Sequence, residues 1–333
     1  MQQKQNELNT GNITIGVVGL GLMGCSICAC FLIAGHKVVA IAPIPSDMNT
    51  ALDRIKNHLT KAYIKEMIPY PADYYLVDII ISEEYSLLSP CKIVLECTLE
   101  NIEIKKAVYE KIVPVVSNQC IICSNTSAIP ITLLQSMVSN PERFVGLHWA
   151  EPSHTTRFLE IICGNDTDIS KAEWLYTLSH SWGKEPTLVR KDIRGFIANR
   201  LMYAMYREAF YLVENGYATV EDVDRACRNN TGYFMTLMGV FRWMDMTGVP
   251  AYHTVMKDLN PTLSNQSSIP SLIDNIVQRG GKGILNGDGF YQYTPEEIKL
   301  WEETFSEFTY EIRNLALKYP ADVVEKKRNN GST

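Results

Sequence analysis

The stretch Ile15-Gly-Val-Val-Gly-Leu-Gly-Leu-Met-Gly24 decides the fold. An apolar strand beginning at Ile13 runs straight into Gly-x-Gly-x-x-Gly. Residues 25–34 are small and apolar and read as a helix, with Gly35 as its stop. A second apolar strand, residues 37–41, follows and completes a βαβ start. Each glycine has a mechanical task. Gly19 makes the tight turn, Gly21 lets a pyrophosphate approach the backbone, and Gly24 lets the helix pack close to the strand. Leu22 and Met23 complete the turn, and the helix start offers free N–H groups and a positive dipole end. The motif in this context predicts dinucleotide binding.

Around it, residues 13 to about 190 alternate short apolar strands with helical stretches. Strands are expected at 14–18, 38–41, 79–81, 93–96, 121–123, 144–148 and 158–163. This alternation predicts an α/β, Rossmann-type doubly wound sheet. From Ile193 the period becomes helical: Phe196, Ile197, Met202, Met205, Ala209, Leu212 and Val213 recur up to Asn215-Gly216. Thr219, with an acid three residues on, reads as a helix N-cap. After Cys227 no strand pattern appears, so the second half is expected to be all-α. The expected division is therefore a dinucleotide-binding domain over 13–192 and a helical domain over 193–320, with loose tails at 1–12 and 325–333.

Composition narrows the function classes. The chain has 333 residues, 46% hydrophobic and 20% charged, enough for two domains with real cores. A net charge of −6 leaves no electrostatic footprint for nucleic acid or an anionic membrane. No apolar run reaches the ~18 residues of a membrane span, and the polar start, Met1 to Asn12, is no signal peptide. Nine cysteines, an odd number, fit a reducing cytoplasm. Cys25-x-x-Cys28 and Cys120-x-x-Cys123 have metal-pair spacing but lie inside apolar helix and strand patterns, where cysteine acts as a small hydrophobe; no metal site is expected.

Two residues look chemical. His148 ends the strand Phe144-Val-Gly-Leu-His148, and Glu160 interrupts the apolar run Phe158-Leu-Glu-Ile-Ile-Cys163 twelve residues later. A short reversal brings them together. A carboxylate there needs a partner, and an imidazole held by one has its tautomer fixed, as a general base requires. Ser124-Asn-Thr-Ser127 follows a strand at the end where such folds bind ligands, and Asn199 sits on the apolar side of a helix. As local structure these would be a helix cap and a helix–helix hydrogen bond.

These motifs, in order, resemble the L-3-hydroxyacyl-CoA dehydrogenase family in its single-module, 3-hydroxybutyryl-CoA dehydrogenase-like form. The resemblance runs from about residue 13 to 318. It rests on Gly19-Leu-Gly-Leu-Met-Gly24, Glu96-Cys-Thr-Leu-Glu-Asn-Ile102 with Lys105-Lys106, Ser124-Asn-Thr-Ser127, Gly146-Leu-His148 with Glu160, Gly195-Phe-Ile-Ala-Asn-Arg200 and Gly289-Phe-Tyr291. Gly239-Val-Phe-Arg-Trp-Met-Asp245 fits a further family stretch. The resemblance implies an oxidoreductase with NAD as cofactor and a homodimer built through the helical domain. It gives His148 the substrate hydroxyl proton, Glu160 the support of that histidine, and Ser127 and Asn199 hydrogen bonds to the reacting oxygen or the histidine. Glu100 falls near the nicotinamide ribose, Asn125 among the cofactor-binding residues, and Lys105 near the cofactor's far ribose or phosphate. The implied substrate is a short-chain L-3-hydroxyacyl-CoA.

Three departures from the family pattern stand out. The strand after the glycine motif ends in Ala42-Pro43, without the acid that binds the adenosine ribose; no arginine replaces it, and Asp47 or backbone groups are left to serve. The family's His-x-x-Asn-Pro appears as His148-Trp-Ala-Glu151-Pro152, where Glu151 either acts on the histidine, meets substrate or ties a turn. His154-Thr-Thr-Arg157 adds polar and cationic groups, and Arg157 is either a carboxylate binder or a surface residue. Lys56, Lys61 and Lys65 form either a CoA-binding or a solvated helix face. Alternatives are therefore the same chemistry on a free hydroxy acid, such as a sugar acid or carnitine-like compound, and a catalytically silent NAD-binding relative.

Overall fold

Eight strands form one sheet in the order β3-β2-β1-β4-β5-β6-β7-β8. The structure, a computed structural model, describes residues 13–330; the tail expected at 1–12 lies outside them. The strands are β1 (Thr14–Val18), β2 (Lys37–Ile41), β3 (Ile79–Ser82), β4 (Ile93–Glu96), β5 (Ile121–Ser124), β6 (Phe144–Trp149), β7 (Leu159–Cys163) and β8 (Thr187–Val189). Every pairing is parallel except β6 with β7. The chain reverses after β6 through a short loop and returns beside it, which is what sets His148 against Glu160.

The continuous apolar runs follow from burial on both faces. One core layer lies under helices α1 (Leu22–Ile33), α2 (Ala51–Ile64) and α4 (Ile169–Ser179), with Ile15, Val17, Ile27, Phe31, Ile55 and Leu175 all inaccessible. The other lies under α3 (Ile102–Ile112) and the turn at Ile131–Gln135, with Val18, Val94, Tyr109, Ile112 and Leu134. Helix α1 is apolar all round and buried from Gly24 to Leu32. It stops as expected at Gly35, whose φ of +83° suits glycine. The Gly35 N–H donates to Leu32 O (3.0 Å) and the His36 N–H to Phe31 O (3.0 Å), a Schellman closure.

The chain divides into two compact units, one ending at Asn199 and the other beginning at Arg200. Among its described residues the second unit is built of helices, with isolated β-bridges Gly283–Asp288 and Asp288–Gln292 and no strand. Helix α5 (Ala198–Glu214) runs into it, and Pro295–Lys318 is its longest helix, opened by a Thr294/Glu297 capping box. Thr219 caps Val220–Ala226 by accepting the Asp222 N–H (3.1 Å), as the sequence suggested. The expected loose C-terminal tail is instead helical over Val323–Asn330. Only two hydrophobic side chains of this unit, Ile276 and Tyr310, are fully covered among the described residues, whereas Tyr233, Phe241 and Ile269 are each more than 70% exposed.

Candidate active site

The dinucleotide cradle is built by the glycines. Gly19 has a φ of +102°, and a Cβ there would press on the Cys97 carbonyl at 2.8 Å. A Cβ on Gly24 would overlap the Gly19 carbonyl oxygen, so helix and turn meet only because no side chain intervenes. A Cβ on Gly21 would meet nothing within 4 Å. That open space, at the start of a 12-residue helix with no side-chain cap, suits the pyrophosphate of NAD. Leu22 is 65% exposed beside it, and Met23 is half-buried.

Three strands along the same carboxyl edge of the sheet lies the pair His148–Glu160. The two residues are direct cross-strand neighbours, and Nδ1 of His148 lies 2.9 Å from Oε2 of Glu160. Both are buried, at 7% and 1% exposure. The second carboxylate oxygen, Oε1, accepts the N–H groups of Ile197 (3.0 Å) and Ala198 (2.9 Å) at the start of α5. Two backbone donors and a helix N-terminus satisfy the anion without a buried lysine or arginine. The turn that aims them contains Gly195 at φ +79° and Phe196 at φ +52°. A left-handed phenylalanine costs about 1–2 kcal/mol, offset here by burial of its ring 5.6 Å from the imidazole. Phe158 packs on the imidazole at 5.4 Å.

The next residue in the chain completes the assembly. Asn199 Nδ2 donates to the carbonyl of Ser127 (2.7 Å), so residues 197–199 tie β7 to the loop after β5. The Ser127 N–H in turn donates to Glu100 Oε1 (3.0 Å), which also accepts from Ala128 N (3.1 Å) and Thr126 Oγ1 (2.6 Å). Partial burial pushes the Glu100 carboxyl up, but the Thr126 hydroxyl, the Lys105 ammonium and the two N–H groups outweigh it, and its pKa is lowered. Asn125 Oδ1 accepts the Trp149 N–H (2.9 Å) and so locks the loop against β6.

Lys105 is a correction. It does not reach a far ribose or phosphate; its side chain is 1% exposed and its ammonium bonds both oxygens of Glu96 (2.9 and 3.0 Å) and lies 3.6 Å from Glu100. Glu96 ends β4 at 0% exposure and also accepts from Thr98, Tyr109 (3.0 Å) and Ser124 (2.7 Å). Burial and the Glu96 charge push the Tyr109 phenol well up, so it remains a donor. This network fixes the β4 and β5 ends that carry Glu100 and Ser127. In the sequence the signal for this buried charge is a carboxylate that closes the apolar run Ile-Val-Leu-Glu.

The departures also resolve. Glu151 lies on the loop that the Ser153 N–H ties to the cradle helix α1 by donating to Ser26 Oγ (2.8 Å). Its Oε2 is buried without a partner among the described residues. Burial raises its pKa to about 7, against Ser26, the Ser153 N–H and the Lys184 charge, which lower it. Lys184 is buried, donating to the carbonyls of Ser153 and Thr156. Arg157 pairs with Glu185 (3.3 Å) and Lys56 with Asp73 (2.7 Å). Cys25 is raised to about 11 by burial, which suits the small-hydrophobe reading. Among the described residues no helix is long and apolar enough to cross a membrane, and no group of three metal-ligating side chains occurs.

Glu151 gives a stability prediction. Its carboxyl keeps a proton in the folded chain that the unfolded chain surrenders from about pH 4.5. Stability therefore falls as pH rises from about 4.5 to about 7 and levels off above. Glu151→Gln should remove this decline, leaving a Tm curve flatter by on the order of a few degrees across that window. Thermal melts at half-unit pH steps check it; parallel curves for both chains would count against it.

A glycine cradle after β1 and a buried histidine–carboxylate pair on the same edge of a doubly wound sheet define a dinucleotide-dependent oxidoreductase. The sequence profile of the 3-hydroxyacyl-CoA dehydrogenase NAD-binding domain matches residues 14–193, and that of the C-terminal domain matches residues 195–293. The chain belongs to the 3-hydroxyacyl-CoA dehydrogenase family and is an NAD-dependent oxidoreductase. It is 38% identical over 212 residues to a 5-formyl-3-hydroxy-2-methylpyridine 4-carboxylate 5-dehydrogenase of Mesorhizobium japonicum, covering 64% of this chain and 69% of that one. The crystal structure of an enzyme of that name, an NAD+ dependent dismutase, superposes with a TM-score of 0.85 at 31% identity, over 91% of this chain and 97% of that one. The (S)-3-hydroxybutyryl-CoA dehydrogenase of Ralstonia eutropha gives 0.70 at 29%, over 84% and 99%.

Proposed function

We propose that the chain transfers hydride between NAD and a small carboxylated alcohol or hydrated aldehyde, with His148 as the acid–base group and Glu160 as its anchor. The observation that carries the chemistry is the buried His148–Glu160 contact, with Glu160 satisfied by two N–H groups at a helix start. His148 takes the substrate hydroxyl proton on its second ring nitrogen, while Glu160 keeps Nδ1 engaged and balances the charge that develops. NAD, when bound, supplies the hydride acceptor. Ser127 and Asn199 hold the reacting oxygen's side of the cleft, and Glu100 borders the nicotinamide end. A hydrated aldehyde presents the same hydroxyl to His148 as an alcohol does, so one geometry serves both.

The carboxylated substrate class, rather than an acyl-CoA, is favoured by the fuller structural match to the pyridine carboxylate enzyme. The family's name and the 3-hydroxybutyryl-CoA dehydrogenases support acyl-CoA as the second reading. Following 340 nm absorbance with pyridine carbaldehyde carboxylates and hydroxy acids plus NAD, and with acetoacetyl-CoA plus NADH, separates them. Turnover of the carboxylated compounds is expected. Turnover of acetoacetyl-CoA alone would replace the substrate reading, and NADH binding without any turnover would leave a silent relative.

We further propose a homodimer through the helical unit, whose exposed aromatics include Tyr233 and Phe241 beside the stacked pair Phe234–Trp243. Light scattering should give twice the chain mass; a monomer at micromolar concentration would refute it.

A further inference from the structure

We propose that Asp47, in the crossover after β2, is the carboxylate that holds the adenosine ribose hydroxyls of NAD, and that its pairing with Arg54 sets the preference for NAD over NADP. The strand that should end in an acid ends at Ile41, and Ala42 after it is buried. The glycine turn is fastened to that strand end, with the Gly19 N–H donating to Ile41 O (2.9 Å). In sheets of this topology the ribose lies at this edge of the cleft.

The fold brings an arginine to this edge. Arg54, on α2, donates through Nη1 to the carbonyl of Leu20 (3.1 Å), between the first two glycines of the motif. The same Nη1 lies 3.4 Å from Asp47 Oδ1. One guanidinium thus tethers Asp47 to the glycine turn. Both charges lie near enough to act on the thiol of Cys25, the residue after Gly24. The Asp47 side chain is 17% exposed and that of Arg54 44%, so the pair opens to solvent.

Arg54 occupies Oδ1, which leaves Oδ2 for a ribose hydroxyl donor. An unpaired arginine here would attract a 2′-phosphate. Asp47 cancels that attraction and adds repulsion of its own. The carboxylate lost at position 42 is thereby supplied from five residues further on, with a cation fixing its aim.

Titration of NADH and NADPH by nucleotide fluorescence tests this without any substrate, so its outcome is independent of the substrate proposal. In Asp47→Asn the NADH Kd should rise on the order of tenfold, as for a lost hydrogen bond to a charged group. The NADPH Kd should fall, because Arg54 is released. In Asp47→Asn/Arg54→Met the NADPH gain should vanish. Arg54 is exposed and Asp47 part-buried, and matching thermal melts would show that the variants fold. An Asp47→Asn chain that binds NADH as wild type does overturns the proposal, whatever NADPH does.

Discussion

His148→Gln should lose about 10²- to 10⁴-fold in kcat, the usual worth of a positioned acid–base group, while its NADH affinity stays within about twofold of wild type. The imidazole is 7% exposed, is held at 2.9 Å by Glu160 and packs against two phenylalanine rings. Glutamine keeps the side chain's polarity and a hydrogen bond to Glu160 but cannot take up or release a proton near neutral pH. Nothing in the cradle around Gly19, Gly21 and Gly24 touches it. Progress curves at 340 nm and a fluorescence titration on one preparation check both halves. Near-full kcat would remove His148 from the mechanism.

Gly24→Ala should strike the opposite function. The added methyl overlaps the Gly19 carbonyl oxygen, and Gly19, at φ +102°, itself lies close against the Cys97 backbone. Neither side can yield cheaply, so α1 must move off the turn. Overpacking of this kind costs about 1–3 kcal/mol. The N–H groups that face the pyrophosphate move with the helix, so NADH affinity should fall by roughly tenfold or more. A shifted Tm with an otherwise native circular dichroism spectrum, together with weak NADH fluorescence enhancement, is the expected pattern. Wild-type NADH affinity would contradict the cradle assigned to these glycines.

The fold was largely legible because its elements are periodic and apolar. All seven expected strands form, and the bounds differ by one residue where they differ. β8 escaped because Thr187–Val189 is three residues long at a sheet edge, with only Val189 buried, too short to show a pattern. Glu160 was readable as a charge inside an apolar run, and the short reversal after His148 supplied its partner. Its second support was not readable. The N–H groups of Ile197 and Ala198 are backbone groups aimed by a left-handed Phe196, and no side-chain type announces them. Lys105 misled for a related reason. The resemblance implied a contact with the cofactor's far ribose or phosphate, whereas the buried Glu96 claims the ammonium. Arg54 was invisible as a neighbour of the glycine turn because it is 34 residues away from Leu20 along the chain.

The central claim is that His148 and Glu160 act as one unit in proton transfer. A double-mutant cycle on kcat measures this directly, using wild type, His148→Gln, Glu160→Gln and the double variant with the substrate identified at 340 nm. Glutamine at 160 keeps an acceptor for the Ile197 and Ala198 N–H groups and removes only the charge. Groups that work as a unit give strongly non-additive losses. The account predicts that Glu160→Gln lowers kcat at least about tenfold and that the double variant is scarcely slower than His148→Gln alone. Losses that multiply, or a Glu160→Gln enzyme at full rate, would contradict it.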